Sequence, residues 1–241
     1  MYLDFILKFT KKMQIKKSIL LLLIFSFSCF SQNKNLSKLN DTIVGNENLP
    51  YNKGLIYDNK YKITSKNTSQ FLENKYSKGI LHYNCEAYFD VSLKYDVFDD
   101  VLLFKPSTQI VLETSLITKQ VDYFIINNIK FKKIENNSIG DSYNIGYFEE
   151  VKINDKINLY IKYRKTIKED LKSDQISYVF YDYKLYYIYY NTKLHEVTSK
   201  KSIINLFPTL KKEIKQYYKE NRKQKELNIQ IFYQNLFKTI I

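Results

Sequence analysis

Val121-Asp122-Tyr123-Phe124-Ile125-Ile126-Asn127-Asn128-Ile129-Lys130-Phe131-Lys132-Lys133-Ile134 is a pair of short runs, rich in β-branched and aromatic residues, parted by two asparagines. Asparagine tolerates the positive φ that a tight hairpin turn demands, so the asparagines read as a turn and the flanks as strands. A helix over the same residues would need an unbroken apolar stripe at spacings of three and four, which is missing. The grammar repeats along the chain. Asp58-Asn59, Asp99-Asp100, Asn154-Asp155 and Asn191-Thr192 stand among apolar runs at residues 55–64, 79–89, 91–98, 101–105, 108–113, 147–153, 157–167, 176–190 and 194–197. Five such pairs between β-rich runs predict a mainly β protein with some α: an antiparallel β-meander, either a curved sheet or barrel-like, with C-terminal helices packed on it.

Alternation supports this. In residues 156–164, Ile157, Leu159, Ile161 and Tyr163 fall on one face and Lys156, Asn158, Lys162 and Arg164 on the other, with Tyr160 the exception, so this strand is expected to be half buried. Residues 176–190 carry large apolar side chains on both faces, which fits either one strand covered on both sides or two strands turning near Asp182. After Ser199 the period lengthens. Leu210, Ile214, Tyr217 and Tyr218 recur at helical spacing behind Pro208, whose missing N–H costs nothing in a first turn. A short helical piece over residues 201–207 should precede them, and Ile229, Phe232, Leu236 and Ile240 mark a final helix. Pieces this short are marginal alone, so they should dock on the sheet.

The other end reads as a leader. From Met13, the positive stretch Gln14-Ile15-Lys16-Lys17 is followed by an apolar run, then small residues and polar Gln32. The run at residues 19–27 is under half of the ~20 residues a bilayer-spanning helix requires, so no transmembrane helix is expected in the mature chain. Cleavage after Ser31 and lipoprotein cleavage before Cys29 are both compatible with the pattern, as are starts at Met1 and Met13. The expected division is a signal peptide at residues 1–31, a flexible leader at 32–50, an antiparallel β domain at 51–198 and a helical segment of the same domain at 199–241. Localisation follows as export to the periplasm, the cell surface or the medium. Asp41-Thr42-Ile43 in the leader looks like the Asp, Ser/Thr, small-aliphatic order of an O-glycosylation acceptor.

Residues 32–241 are enough chain for a substantial core, and 44% hydrophobic with 16% aromatic content argues against disorder. Cys85 would be the only cysteine left after cleavage at Ser31, so no intrachain disulfide is expected. The chain carries +13, and with five lysines and one aspartate in residues 1–31, +9 belongs to the rest. Residues 200–225 alone hold nine basic groups against Glu213 and Glu220. Lysine outnumbers arginine 36 to 2 and Ala87 is the single alanine, a bias towards A/T-rich codons that weakens lysine and tyrosine as functional signals.

Phe30-Ser31-Gln32, the segment Tyr95-Asp96-Val97-Phe98-Asp99-Asp100-Val101-Leu102, Gly146-Tyr147-Phe148-Glu149, and Phe207-Pro208 ahead of a lysine-rich helix together resemble small exported proteins of unassigned function from flavobacteria and related Bacteroidota. The resemblance covers most of the mature chain. It implies compartment and layout, and carries no catalytic residue across.

Catalytic groups are sparse. His82 and His195 fall in expected strands and lack the spacing of a helical metal motif, while His82 and Cys85 form a lone H-x-x-C that would face opposite sides of a strand. No G-x-S-x-G elbow exists, and Gly54, Gly79, Gly140 and Gly146 are too scattered for a phosphate loop. The carboxylate pairs Asp99-Asp100, Glu149-Glu150 and Glu169-Asp170 read as solvated turns. No enzyme activity, metal or cofactor is expected. Two surfaces remain as binding candidates. Lys211, Lys215 and Lys219 on the basic helix could meet lipid headgroups or acidic glycans, with nucleic acid set aside because two arginines give little bidentate capacity and export removes the genome. Tyr181, Tyr183, Tyr187 and Tyr189 could form a stacking face for sugar rings. The expected function is non-catalytic binding or scaffolding at the cell envelope, against the alternatives of an anionic-surface adaptor and a hydrolase with an unrecognised site.

Overall fold

A computed structural model describes residues 45, 48–61, 68–106, 112–135, 146–155, 157–170, 176–191 and 193–241. The expected signal peptide, Cys29, Asp41-Thr42-Ile43, most of the leader and parts of the runs at 55–64 and 108–113 lie outside the described residues.

Eleven strands form one antiparallel sheet: β1 (Leu55–Ile56), β2 (Ser77–Tyr83), β3 (Glu86–Asp96), β4 (Val101–Phe104), β5 (Thr114–Ser115), β6 (Val121–Ile126), β7 (Ile129–Ile134), β8 (Gly146–Lys152), β9 (Asn158–Asp170), β10 (Ser177–Tyr190) and β11 (Lys193–Glu196). Four helices follow: α1 (Lys200–Leu206), α2 (Lys211–Glu220), α3 (Arg222–Leu227) and α4 (Ile229–Ile240). The sheet order is β1-β5-β4-β3-β2-β6-β7-β8-β9-β10-β11. Eight of the ten neighbouring pairs are consecutive in sequence, so the fold is a meander. The chain grows outward from β2 to β5, returns through a 3₁₀ turn at Thr118–Gln120, and resumes on the other side of β2 with β6.

The hairpin at residues 121–134 forms as its sequence predicts: Asn127 and Asn128 take φ of 52° and 64°, and Phe124 pairs with Phe131. Two boundaries differ from the sequence reading. Residues 79–89 are not one run, because Asn84 and Cys85 turn the chain at φ 51° and 64°. Cys85 therefore sits in a turn and not on a strand opposite His82. Conversely, residues 86–96 are continuous through Asp90, whose φ of 59° makes it a bulge between the Gly79–Val91 and Ile80–Phe89 pairs. β10 is one strand, paired with β9 from Ser177 to Tyr189, so the alternative turn near Asp182 does not occur.

The sheet is rolled but not closed, with β1 and β11 as its edges. β3 and β8 are four places apart, about 19 Å in a flat sheet. Yet the Tyr95 ring of β3 lies 5.2 Å from Phe131 of β7 and 5.9 Å from Tyr147 of β8. These rings and Phe124 fill the concave core with Leu81, Leu93 and Phe104. The helices cover the β8–β10 stretch. Ile203, Phe207, Ile214, Phe232, Tyr233, Leu236 and Phe237 pack on Leu159, Ile161, Tyr186 and Ile188. Capping places them: Ser199 and Ser202 form a capping box at α1, and Asn228 accepts from Ile231 N at 3.0 Å to start α4. Among the described residues no helix is long and apolar enough to cross a membrane.

Candidate functional site

The helical layer concentrates charge in one place. On α2, Ile214 is fully buried against the sheet. At about 100° per residue, Lys211, Lys215, Lys219 and Lys212 fall between about 60° and 160° to one side of it, while Glu213 and Glu220 fall about 100–120° to the other. All six are exposed. Tyr218, half-buried on the lysine side, gathers cations from neighbouring helices: Lys200 Nζ of α1 lies 5.7 Å and Lys225 Nζ of α3 5.3 Å from its ring centroid. The predicted contact residues Lys211, Lys215 and Lys219 thus belong to a basic flank built from three helices.

Seven of the eleven strand lysines are arranged differently, while Lys78, Lys168, Lys184 and Lys193 have no carboxylate within 4.0 Å among the described residues. Lys94, Lys130, Lys132, Lys133, Lys152, Lys162 and Lys165 each stand within 4.0 Å of a carboxylate oxygen. Among the described residues none of the nine helical lysines has such a partner.

The predicted aromatic face does not hold together as one surface. Tyr181 and Tyr183 project from the exposed outer half of β10 at 53% and 44% exposure, whereas Tyr187 is buried with Phe148, Tyr160 and Leu194. Burial removes Tyr187 from any stacking surface, because β9, β8 and β11 leave its ring no free side; its Oη has no hydrogen-bond partner among the described residues. Tyr189 is half-buried and lines a cleft of about 240 Å³ with Tyr160, Asn158, Leu194, Lys132 and Lys133.

Several polar groups read as solvated are buried. Lys162 is fully buried, its ammonium 2.6 Å from Asp100 and 3.1 Å from the Tyr147 carbonyl. Burial pulls its pKa down to about 8 against the opposing pull of Asp100. Asp100, the second residue of a turn pair, also accepts from Tyr95 Oη at 2.5 Å. Gly146, at φ +112°, permits that approach, since a Cβ there would stand 1.7 Å from Asp100 Oδ2. Glu149 is buried too, accepting from Tyr163 Oη at 2.7 Å and Gln230 Nε2 at 3.0 Å. Glu150 accepts from Tyr160 Oη at 2.7 Å and pairs with Lys130. Asp96 is fully buried at the end of β3, where it accepts from Tyr57 Oη at 2.5 Å and Asp99 N at 2.9 Å. Burial raises its pKa to about 6, with the Tyr57 hydrogen bond opposing. Elements distant in sequence cover these groups: the approach of β9 to the β3–β4 turn buries Lys162, Tyr57 and the bridge from Phe71 cover Asp96, and Tyr163 with Gln230 of α4 covers Glu149; alternation within a single strand carries no sign of them.

His82 stacks on Tyr123 at 4.8 Å and its Nδ1 lies 2.8 Å from Asp122. Among the described residues no three His, Cys, Asp or Glu side chains are grouped to hold a metal. No protein family, curated protein or solved structure matches the chain.

Proposed function

We infer that the protein is exported and acts as a non-catalytic binding protein of the cell envelope, holding an anionic surface against the lysine flank of its helical layer. The observation that carries this reading is the contrast in pairing. Seven of the eleven strand lysines sit beside carboxylates, while Lys211, Lys215 and Lys219 lie exposed on one side of α2 with none within 4.0 Å among the described residues, and Lys200 and Lys225 stand beside Tyr218. Codon bias can enrich lysine everywhere, but it does not sort Glu213 and Glu220 to the far side of the helix. Each lysine near an anionic membrane contributes about 1 kcal/mol of attraction, so a cluster of five suffices for salt-sensitive docking.

The test of docking is the salt dependence of binding to anionic vesicles and to acidic polysaccharide. Binding that weakens with salt but persists at physiological ionic strength is expected; its absence there would remove the reading. Export is tested apart: N-terminal sequencing of secreted or periplasmic material should begin at Gln32 or at lipidated Cys29, and an intact Met1 on cytoplasmic protein would contradict it. A second reading, glycan binding, is favoured by the cleft that half-buried Tyr189 lines with Asn158, Lys132, Lys133 and Glu135, an aromatic wall beside amide, ammonium and carboxylate groups.

A further inference from the structure

The α3–α4 corner exposes what helices in a packed layer usually hide. Leu227, the last residue of α3, is 87% exposed, and Ile229 and Ile231 follow at 36% and 43%. A lone exposed leucine carries no meaning, since most protein surface is apolar. Here three large aliphatic side chains fall within five residues. The corner is also held stiff: Asn228 N donates to Gln224 O at 2.8 Å, and its side chain accepts from Ile231 N at 3.0 Å. Lys223 precedes Leu227 by one helical turn and is exposed on the same face, and Lys225 beside Tyr218 ties the corner to the basic flank.

Apolar side chains projecting from a rigid corner, with exposed Lys223 on the face of Leu227 and no carboxylate within 4.0 Å of it among the described residues, match the two layers of an anionic bilayer: phosphate at the surface and hydrocarbon a few ångströms below. An acidic polysaccharide would satisfy the lysines and leave the aliphatic groups in water. We propose that the anionic surface held by this protein is a lipid bilayer, into which Leu227 and Ile231 insert while the lysines of α2 and α3 meet the headgroups. This rests on the anionic-surface reading above and adds an anchor to it. Withdrawing each aliphatic side chain from water is worth on the order of tenfold in affinity.

The chain has no tryptophan, so Leu227→Trp supplies a single reporter. Its emission should shift to the blue on equimolar phosphatidylcholine–phosphatidylglycerol vesicles and be quenched by brominated acyl chains. It should not shift with heparin. Leu227→Gln/Ile231→Gln should lose at least tenfold in vesicle affinity at physiological salt and keep its heparin affinity. The leader is common to all variants, so differences between them report on the helical layer. If the double variant binds vesicles as the wild type does while Lys211→Gln/Lys215→Gln/Lys219→Gln does not, the anchor is wrong and the basic surface stands. If the wild type binds heparin but not vesicles, the partner is a glycan and the bilayer assignment falls. If it binds neither, the basic-surface reading falls with it.

Discussion

Lysines in the sheet and lysines in the helical layer obey different rules within one chain. Seven of the eleven strand lysines, those of β3, β7 and β8 with Lys162 and Lys165 of β9, stand beside carboxylates, and Lys162 is sealed inside; those of α2 and α3 are exposed, with no carboxylate within 4.0 Å among the described residues. Where a sheet lysine stands beside a carboxylate its charge is balanced within the fold, most completely at Lys162. On the helices, the charge is left available. The comparison separates roles that a composition of 36 lysines blurs.

Substitutions inside the sheet should have the largest effects. Asp100→Asn leaves the Lys162 ammonium buried without its counter-ion and should cost about 3–5 kcal/mol, while Asp100→Asn/Lys162→Met should recover much of the loss in denaturant titrations. Gly146→Ala should destabilise through the same cluster, by 2 kcal/mol or more on the order of strain from a non-glycine residue at positive φ plus a clash with Asp100. Ile214→Asp tests the joint between the two regions. It buries an unpaired carboxylate under α2 and should cost several kcal/mol, roughly what desolvating a polar group requires.

Strand alternation, the Asn and Asp turns and the later change to helical period are local properties, and they were enough to read the meander, the hairpin at residues 121–134 and the helices after Ser199. Burial of Lys162, Asp96, Glu149 and Tyr187 is not local. Lys162 lies on the expected polar face of β9, and what hides it is Asp100, 62 residues away, brought there by the roll of the sheet. The break at Asp90 misled for a related reason: an aspartate at positive φ serves a bulge as well as a turn, and only the register with β2 distinguishes them. Of the candidate residues, the exposure of Lys211, Lys215 and Lys219 was legible because a helical wheel needs only sequence. The tyrosine face was not, because β10 is exposed from Tyr181 to Lys184 and buried from Tyr186 to Ile188, a change that residues of other strands such as Phe148, Tyr160 and Leu194 set around Tyr187.

Asp96 offers a smaller effect with a defined pH window. Its folded pKa of about 6 lies above its ordinary 3.8, so the folded state binds the extra proton between those values and stability falls as pH rises through them. Asp96→Asn should flatten the stability profile between about pH 4 and 6, leaving Tyr57 an oxygen to donate to. An unchanged slope would place the titration elsewhere. Lys162 acts on the alkaline side: its folded pKa is depressed to about 8, so its contribution grows as pH rises from there towards 10.5.

The smallest effect on stability belongs to the residues of greatest functional interest. Lys211→Gln/Lys215→Gln/Lys219→Gln should unfold within about 0.5 kcal/mol of the wild type, because exposed charges contribute little. Its binding is the most direct measurement of the central claim, that the helical lysines form a contact surface and are not merely solvated. Co-sedimentation with anionic vesicles should retain the wild type at low and at physiological salt and release the triple variant at both. Equal binding of the two proteins, or wild-type binding at low salt alone, would contradict the account.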